Sequence, residues 1–93
     1  MIYIDFDPKK SEKNLIERAL PFSRAEEFDW ETALYTEDMR NNYSERRYVA
    51  VGYLDKRLHV ICFTPIHEGL RIISFRKANL REIKRYEQIT FNQ

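Results

Sequence analysis

Runs of apolar, β-branched and aromatic residues in the second half of the chain predict three consecutive strands. The first two, Arg46 to Leu54 and Arg57 to Thr64, are rich in Val, Ile and Tyr. Only Asp55-Lys56 separates them, a spacing typical of an antiparallel hairpin. Pro65 to Gly69 predicts the next turn, and the apolar run Leu70 to Phe75 predicts the third strand.

The beginning of the chain predicts a short strand and then a helix. Met1 to Ile4 has the apolar character of a strand. Asp7 is a suitable N-cap and Pro8 suits the first helical position, where no amide donor is needed. The helix should run from Pro8 to about Ala19, with Pro21 closing it. The residues expected to face inward are Leu15, Ile16 and Ala19.

A second, shorter helix is predicted directly after Pro21. Ser23 and Glu26 have the spacing of a capping box, in which each side chain accepts a hydrogen bond from the other residue's backbone. The helix should continue through Phe28. Ala25 and Phe28 are its expected core contacts.

The remaining segments complete the order β-α-α-β-β-β-β-α. Ala33 to Asp38 predicts a weak strand, and the polar stretch Met39 to Ser44 predicts a loop. Asn79 and Glu82 again have capping-box spacing and open a final helix to about Gln88. Because short turns join successive strands, we expect an α+β fold. It should contain a small antiparallel sheet of about four to five strands, N-terminal helices and a C-terminal helix.

The composition is that of one globular domain, which we expect to span residues 1–93. Hydrophobic residues make up 43% and charged residues 33%, which excludes a disordered chain. The one cysteine, Cys62, lies in an apolar run, and no Cys/His set has metal-ligand spacing. Since no apolar run approaches about 18 residues, we expect a cytoplasmic protein with no membrane contact. Neither a metal nor another cofactor is predicted.

The net charge of +1 conceals an uneven distribution. Residues 1–38 carry five Lys/Arg and ten Asp/Glu, whereas residues 39–93 carry eleven and five. Leu70 to Glu87 alone contains six cations and two anions. One interpretation is that the basic half faces a polyanion such as RNA. The other is that the two halves neutralise each other across the fold.

The residue types allow the chemistry of a ribonuclease that needs no metal. Such an enzyme requires a base for the 2′-hydroxyl, cations around the phosphorus oxygens and an acid for the leaving 5′-oxygen. Glu45 is the candidate base, and the candidate cations are Arg46, Arg71, Arg76 and Lys77. The acid stays open between His59, Tyr86 and a cation.

Each of these residues also has an ordinary structural interpretation. Glu45 could simply pair with an arginine, and His59 could be a satisfied strand histidine. Tyr86 could pack on a helix face, and the cations of that helix (Arg81, Lys84, Arg85) could merely be solvated. Arg71 and Arg76 differ in parity along the strand. They would meet one substrate only if the backbone had already turned into the helix by Arg76.

Three segments of the chain resemble the BrnT family of bacterial toxins. Asp5-Phe6-Asp7-Pro8-Lys9-Lys10, followed by Asn14, Phe22 and Ala25, is similar to the start of that family. Glu45 to Gly52, ERRYVAVG, is similar to its central segment. Arg71 to Ala78, RIISFRKA, with Glu82 and Tyr86 after it, is similar to its C-terminal segment. The three segments occur in the family's order and span nearly the whole chain.

The resemblance implies a RelE-like toxin that cleaves RNA and inhibits translation. It also implies a cognate antitoxin with a ribbon-helix-helix DNA-binding domain, and contact with promoter DNA only through their complex. The expected catalytic residues are Glu45, Arg46, Arg71, Arg76 and Lys77. The expected RNA-binding residues are Arg47, Ser74, Arg81, Arg85 and Tyr86.

One departure from the family pattern leaves two alternatives open. Family members usually carry a Lys-His-Gly run after the first helix, where this chain has Glu17-Arg18-Ala19-Leu20-Pro21. The chain could therefore be a catalytically inactive module of the same fold that binds RNA or the antitoxin. A DNA-binding regulator acting alone is a weaker alternative, because no DNA-binding helix pattern supports it.

Overall fold

The computed structural model describes residues 3–91, which form one five-stranded sheet flanked by helices. A short 3₁₀ segment, Phe22–Glu27, follows the first helix. The elements in chain order are β1 (Tyr3–Phe6), α1 (Pro8–Arg18), the 3₁₀ segment, β2 (Leu34–Glu37), β3 (Tyr48–Leu54), β4 (Arg57–Ile66), β5 (Gly69–Lys77) and α2 (Leu80–Phe91). In the sheet the strands lie in the spatial order β1-β5-β4-β3-β2.

The α+β class is confirmed, but the sheet is mixed and not purely antiparallel. Strand β1 pairs with β5 in parallel, with Tyr3 opposite Gly69 and Phe6 opposite Ile72. The close approach at this pair suits glycine, because a Cβ at Gly69 would lie 2.0 Å from the carbonyl oxygen of Tyr3. The prediction of an all-antiparallel sheet was wrong because this pairing links distant segments without a local sequence signal. Met1 and Ile2, which were assigned to the first strand, lie outside the described residues.

The predicted hairpins form, with one shorter turn than expected. Strands β3 and β4 are antiparallel around Asp55 and Lys56, whose φ angles of 51° and 65° suit a tight two-residue turn. The second turn consists of His67-Glu68 alone. Pro65 and Ile66 still belong to β4, and Gly69 already belongs to β5.

Strand β4 is buried on both faces, and its residues alternate between two hydrophobic clusters. Ile61 and Phe63 belong to a core that includes the 3₁₀-segment residues Phe22 and Ala25. Leu58 and Val60 face the other way and pack with Tyr86 and other residues under α2. We call the side that carries Ile61 the core face and the side that carries Val60 the α2 face.

Helix α1 buries polar residues, so the predicted inward face was wrong. Ile16 is 75% exposed and Leu15 is 45% exposed, whereas Asn14 is only 6% exposed. The Asn14 amide donates hydrogen bonds to the carbonyl oxygens of Leu20 at 2.7 Å and Phe75 at 2.8 Å. Ala19 is also exposed. A search for apolar periodicity could not identify a face that is held by hydrogen bonds.

The helix ends differ in how well the capping predictions hold. The Asp7 side chain caps α1 as expected, accepting a hydrogen bond from the backbone nitrogen of Lys9 at 2.9 Å. Helix α1 ends at Arg18. The next residue, Ala19, caps it in the left-handed conformation with φ 53°, so Pro21 is not what closes the helix. Pro21 precedes the 3₁₀ segment, which has no side-chain cap, so the predicted Ser23–Glu26 capping box does not form.

The C-terminal capping box is present. The Asn79 side chain accepts from the backbone nitrogen of Glu82, and the Glu82 carboxylate accepts from the backbone nitrogen of Asn79, both at 2.9 Å. Helix α2 extends to Phe91, beyond the predicted end at Gln88.

Candidate functional site

A β-bulge in β5 brings Arg71 and Arg76 onto the same face of the sheet. Cys62 pairs with Ser74 while its neighbour Phe63 pairs with Ile72, so Ile73 is an extra residue in β5. Arg71 then pairs with Thr64 and Arg76 with Val60, two positions of equal parity on β4. The expectation that the two arginines meet only at the start of the helix was wrong. The bulge corrects their parity within the strand.

Part of the α2 face is left uncovered and carries several predicted site residues. Helix α2 packs over Leu58 and Val60 at one end. At the other end Ser74 is exposed beside the partly buried Cys62. We call this surface the open sheet face, and its polar members include Arg47, Arg71, Ser74 and Arg76.

Both β5 arginines are held by carboxylates from other elements. Arg71 Nε donates to Asp5 of the adjacent strand β1 at 2.7 Å. Arg76 makes two parallel hydrogen bonds to Glu82 of α2, each 2.9 Å long. Such fork-shaped pairs fix the guanidinium orientation. The Glu82 carboxylate raises the pKa of Arg76, and Arg76 in turn lowers the pKa of Glu82.

Glu45 and Arg47 lie together at the entrance of β3. Arg47 Nε contacts the Glu45 carboxylate at 3.4 Å, and its guanidinium carbon lies 4.1 Å from the centre of the Tyr43 ring. A hydrogen bond from Ser44 lowers the pKa of Glu45, and the charges of Arg47 and Arg71 lower it further. Glu45 is therefore an ionised carboxylate beside the arginines, and its lowered pKa makes it a weaker base than an ordinary glutamate.

The structure does not place all predicted catalytic cations on the open sheet face. Arg46 interacts with Tyr48 and with the charge of Glu37, which raise its pKa. Lys77 pairs with His59 on β4, a position on the core face. The predicted set of Arg46, Arg71, Arg76 and Lys77 is thus divided between two sides of the sheet, with only Arg71 and Arg76 together.

The α2 residues that were predicted to bind RNA fall into two groups. Arg81 and Arg85 are exposed, and neither forms an ion pair within residues 3–91. Tyr86 is only 4% exposed, and its hydroxyl donates to the carbonyl oxygen of Thr32 at 3.0 Å. Tyr86 also packs edge-on against Tyr53. Because Tyr86 is buried, its side chain packs within the fold, and the structure does not support the prediction that it contacts RNA.

A cationic pocket lies at the edge of β5 beyond the end of β1. Since β1 pairs only as far as Ile72, the backbone of Phe75 receives its hydrogen bond from Asn14 of α1. The end of α1 therefore lies against this edge. The pocket has a volume of about 410 Å³ and is lined by Arg18, Leu20, Arg76 and Lys77. We call it the edge pocket.

A second pocket adjoins the edge pocket, because the two share Arg18, Leu20 and Lys77 as lining residues. It has a volume of about 250 Å³ and reaches the side chain of His59. We call it the histidine pocket. Its charged lining residues are Arg18, Arg24, Asp55, Arg57 and Lys77.

Sequence reasoning missed the residues that come from distant segments. Asp5 was given no role in the site and Glu82 was predicted only as a helix cap, yet both carboxylates orient the two β5 arginines. Arg18 and Arg57 were not considered for the site. One local signal was available in the sequence. Glu82, the predicted capping residue, lies only six residues after Arg76, so its side chain can reach back to the end of the preceding strand.

Two further observations concern the described part of the chain. Within residues 3–91, no group of three His, Cys, Asp or Glu side chains is arranged to hold a metal ion. Neither helix in this range has the length and apolar character to cross a bilayer.

Comparison with known families gives one match. A family model described as "Ribonuclease toxin, BrnT, of type II toxin-antitoxin system" matches residues 6–82. The matched range contains Arg71, Arg76 and Glu82 but not Asp5. No curated protein matches the chain.

Proposed function

Because the chain belongs to the BrnT family of ribonuclease toxins of type II toxin–antitoxin systems, we propose that it is a metal-independent endoribonuclease that binds RNA across the open sheet face. The observation that carries this proposal is the β-bulge at Ile73. It aligns Arg71, the exposed Ser74 and Arg76 on one side of a rigid strand. Arginines in fixed orientations suit the bidentate recognition of successive phosphates.

The two arginines differ in what they can offer a phosphate. Arg71 uses only Nε for Asp5, so its terminal nitrogens are available as donors. Arg76 uses both terminal nitrogens for Glu82, and Nη1 also donates to the carbonyl oxygen of Lys77. Arg71 is therefore the stronger candidate for direct phosphate contact. Arg76 keeps Nε and stabilises charge from a fixed position.

Glu45 was predicted to be the base, but we propose that it contributes as a charged, orienting group instead. The charges of Arg47 and Arg71 keep it ionised. An ionised carboxylate between arginines can orient them and accept a hydrogen bond from a ribose hydroxyl. Arg46 is proposed as a peripheral RNA contact only, because it interacts with Glu37 of β2 and Tyr48 of β3, two strands that do not adjoin β5. Arg81 and Arg85, on α2, would extend the basic surface.

The biological setting follows from the family. A type II toxin has a protein antitoxin, and we propose that its antitoxin carries a ribbon-helix-helix domain and brings the complex to promoter DNA. RNA cleavage would inhibit translation in the cytoplasm. We further propose that residues 1–93 form one toxin domain. The relationship to RelE-like toxins stays a prediction.

The test is expression of this chain alone in a bacterial host, with growth and RNA integrity followed together. We expect growth arrest with RNA breakdown, and cleavage by the purified protein in excess EDTA. The double variant Arg71→Ala/Arg76→Ala should abolish both effects. The matched control is Lys9→Ala/Lys10→Ala, which removes two exposed cations from α1. Cleavage that persists in the first variant would refute the assignment of the open sheet face.

One observation favours the inactive binding module as the second candidate function. Asp5 and Glu82 neutralise Arg71 and Arg76, so these arginines add little net charge to the open sheet face. A chain that binds RNA or antitoxin without cutting would show normal growth and intact RNA. In that case, RNA affinity with a clear salt dependence would identify RNA as the ligand.

A further inference from the structure

The histidine pocket combines a buried imidazole with an excess of positive charge. His59 is 5% exposed and packs against the Phe75 ring, with the ring centres 5.8 Å apart. Four cations and one carboxylate line the pocket around it: Arg18, Arg24, Arg57, Lys77 and Asp55. Its volume of about 250 Å³ exceeds that of several water molecules at roughly 30 Å³ each. A phosphate group therefore fits within this volume.

Hydrogen bonding fixes which nitrogen of His59 carries the proton. Nδ1 lies 2.8 Å from the carbonyl oxygen of Arg57. A carbonyl oxygen can only accept, so Nδ1 must be the donor. In the neutral ring Nε2 is then an acceptor with a lone pair.

The accepting nitrogen is in contact with the pocket. Within residues 3–91, every buried side-chain nitrogen or oxygen has a hydrogen-bond partner. The hydrogen bond of His59 is made by Nδ1, and Nε2 has no partner among the described groups. Nε2 must therefore retain accessible surface, and the space next to His59 is the histidine pocket.

The cations of the pocket favour the neutral form of the imidazole, and part of their positive charge is not balanced by carboxylates. Burial lowers the pKa of His59, and Arg57, Lys77 and Arg24 lower it further, against the opposing effect of the Arg57 carbonyl. Asp55 is paired with Arg24 at 2.7 Å, and Arg24 also pairs with Glu27. Arg18 and Arg57 are oriented by neutral acceptors, the Asn14 side chain and the Ala78 carbonyl. Their charge is therefore not cancelled by a carboxylate.

We propose that His59 is the catalytic proton acceptor for RNA cleavage, with the scissile phosphate held by Arg18, Arg57 and Lys77 in the histidine pocket. This inference rests on the proposed ribonuclease function and names its reacting group. Nε2 takes the proton of the 2′-hydroxyl, and the 2′-oxygen forms a bond to phosphorus. The bond from phosphorus to the 5′-oxygen breaks, and that oxygen takes a proton from water. The imidazolium returns its proton to the hydroxide, leaving a cyclic phosphate and a 5′-hydroxyl.

The two pockets connect this centre with the open sheet face. Arg76 borders the edge pocket, and the edge pocket shares Arg18 and Lys77 with the histidine pocket. An RNA strand held at Arg71 and Arg76 can therefore continue around the edge of β5 toward His59. This path explains how Lys77 can serve the reaction although it lies on the opposite side of the sheet from Arg71.

The decisive variant is His59→Asn in the full chain. The Asn amide can still donate to the Arg57 carbonyl but offers no nitrogen at the Nε2 position. We expect kcat/KM for RNA cleavage to fall about 100-fold or more. The acid limb of the wild-type pH profile, expected below pH 6.5, should disappear, because protonated His59 cannot act as the base. Affinity for an RNA with a 2′-deoxy scissile nucleotide should stay within about twofold.

His67→Gln is the matched control, because His67 lies in the exposed β4–β5 turn with its side chain 98% exposed.

A second set of variants, Arg18→Ala and Lys77→Ala, removes cations at the rim of the histidine pocket and leaves the buried ring of His59 in place. Each should raise KM about tenfold. An unchanged pH profile in His59→Asn would overturn the inference but leave the proposed ribonuclease function standing.

A binding measurement tests the pocket independently of cleavage. Uridine 3′-monophosphate is titrated into wild-type protein while the imidazole resonances of His59 and His67 are followed by NMR. The His59 resonance should shift, and its pKa should rise as the phosphate dianion favours the imidazolium. His67 should stay unchanged. Absence of any His59 response at millimolar nucleotide would refute the phosphate site. A response without RNA cleavage under any condition would refute both the catalytic role and the proposed function.

Discussion

Arg71 and Arg76 lie on one face of β5 although their odd spacing would place them on opposite faces of a regular strand. The extra residue at Ile73 shifts the alternation between them, so that Ile72 and Phe75 also share the core face. One local irregularity therefore serves the core and the candidate site together. We therefore expect substitutions of the two arginines to change activity, and substitutions of a carboxylate partner or of α1, which is hydrogen-bonded to β5, to change stability.

Arg76→Ala should abolish growth arrest while the protein stays folded. The substitution removes a charge-assisted contact to the bound RNA, and loss of one such contact costs about 1.5–3 kcal/mol, or roughly 10- to 150-fold in kcat/KM. Arg71→Ala should have an effect at least as large, because its terminal nitrogens are not engaged by Asp5. Cleavage kinetics on purified variants measure both effects. Full toxicity of a folded Arg76→Ala protein would remove this residue from the mechanism.

Glu82→Gln should lower stability at neutral pH but not in acid. The hydrogen bonds from Arg76 lower the pKa of Glu82, so the folded state favours its ionised form. The stabilisation is present above the unfolded value near 4.5 and is lost as the pH falls through the lower folded value. Gln can still accept from the Asn79 nitrogen, so the expected loss at pH 7 is about 1 kcal/mol.

Urea unfolding at pH 7 and pH 3 checks this expectation. The control is Glu87→Gln, which makes the same charge change at an exposed position of α2. It should unfold like the wild type at both pH values. An equal loss for Glu82→Gln at both pH values would contradict the ion-pair explanation.

Ala19→Gly should stabilise the protein. Ala19 has φ 53° and ψ 34°, a conformation that costs a residue with a Cβ about 1–2 kcal/mol. Glycine adopts it without that cost but loses more entropy on folding, so the expected net gain is up to about 1 kcal/mol. Urea denaturation measures it. Lys10→Gly, inside α1, should instead lose about 1 kcal/mol, and a loss for both substitutions would argue against the left-handed end of the helix.

Asn14→Ala should be strongly destabilising. It removes two buried hydrogen bonds and leaves the carbonyl oxygens of Leu20 and Phe75 without this donor. The expected cost is about 2–4 kcal/mol, compared with less than about 0.5 kcal/mol for the exposed neighbour Lys13→Ala. Chemical denaturation of both variants gives the comparison. Equal midpoints would show that α1 is not fastened to β5 through Asn14.

Local rules predicted the elements that depend on neighbouring residues. The Asp55-Lys56 turn and the Asn79–Glu82 capping box both lie within short segments, where spacing alone defines the geometry. The bulge at Ile73 was not predictable, because an apolar run gives the same pattern with or without an extra residue. Asn14 was missed because its partners lie in other segments.

The candidate site was predicted only in part for the same reason, because some of its contacts join segments that are distant in sequence. Arginines and lysines near β5 were identified because they are adjacent in sequence. The face of the sheet that each of these residues occupies depends on the register of β5 against β4, and composition gives no information about that register. The histidine pocket could not be predicted from nearby residues either, because Arg18 and His59 come together only through the packing of α1 against the edge of β5.

The pairing of β1 with β5 has a consequence for the order of events during synthesis. The first strand cannot take its place until the last strand exists, and closing so long a loop is among the slower steps of folding. The ion pair between Asp5 and Arg71 depends on the same strand pairing. If the proposed function holds, a chain that has not yet formed β5 would therefore lack the surface that binds RNA.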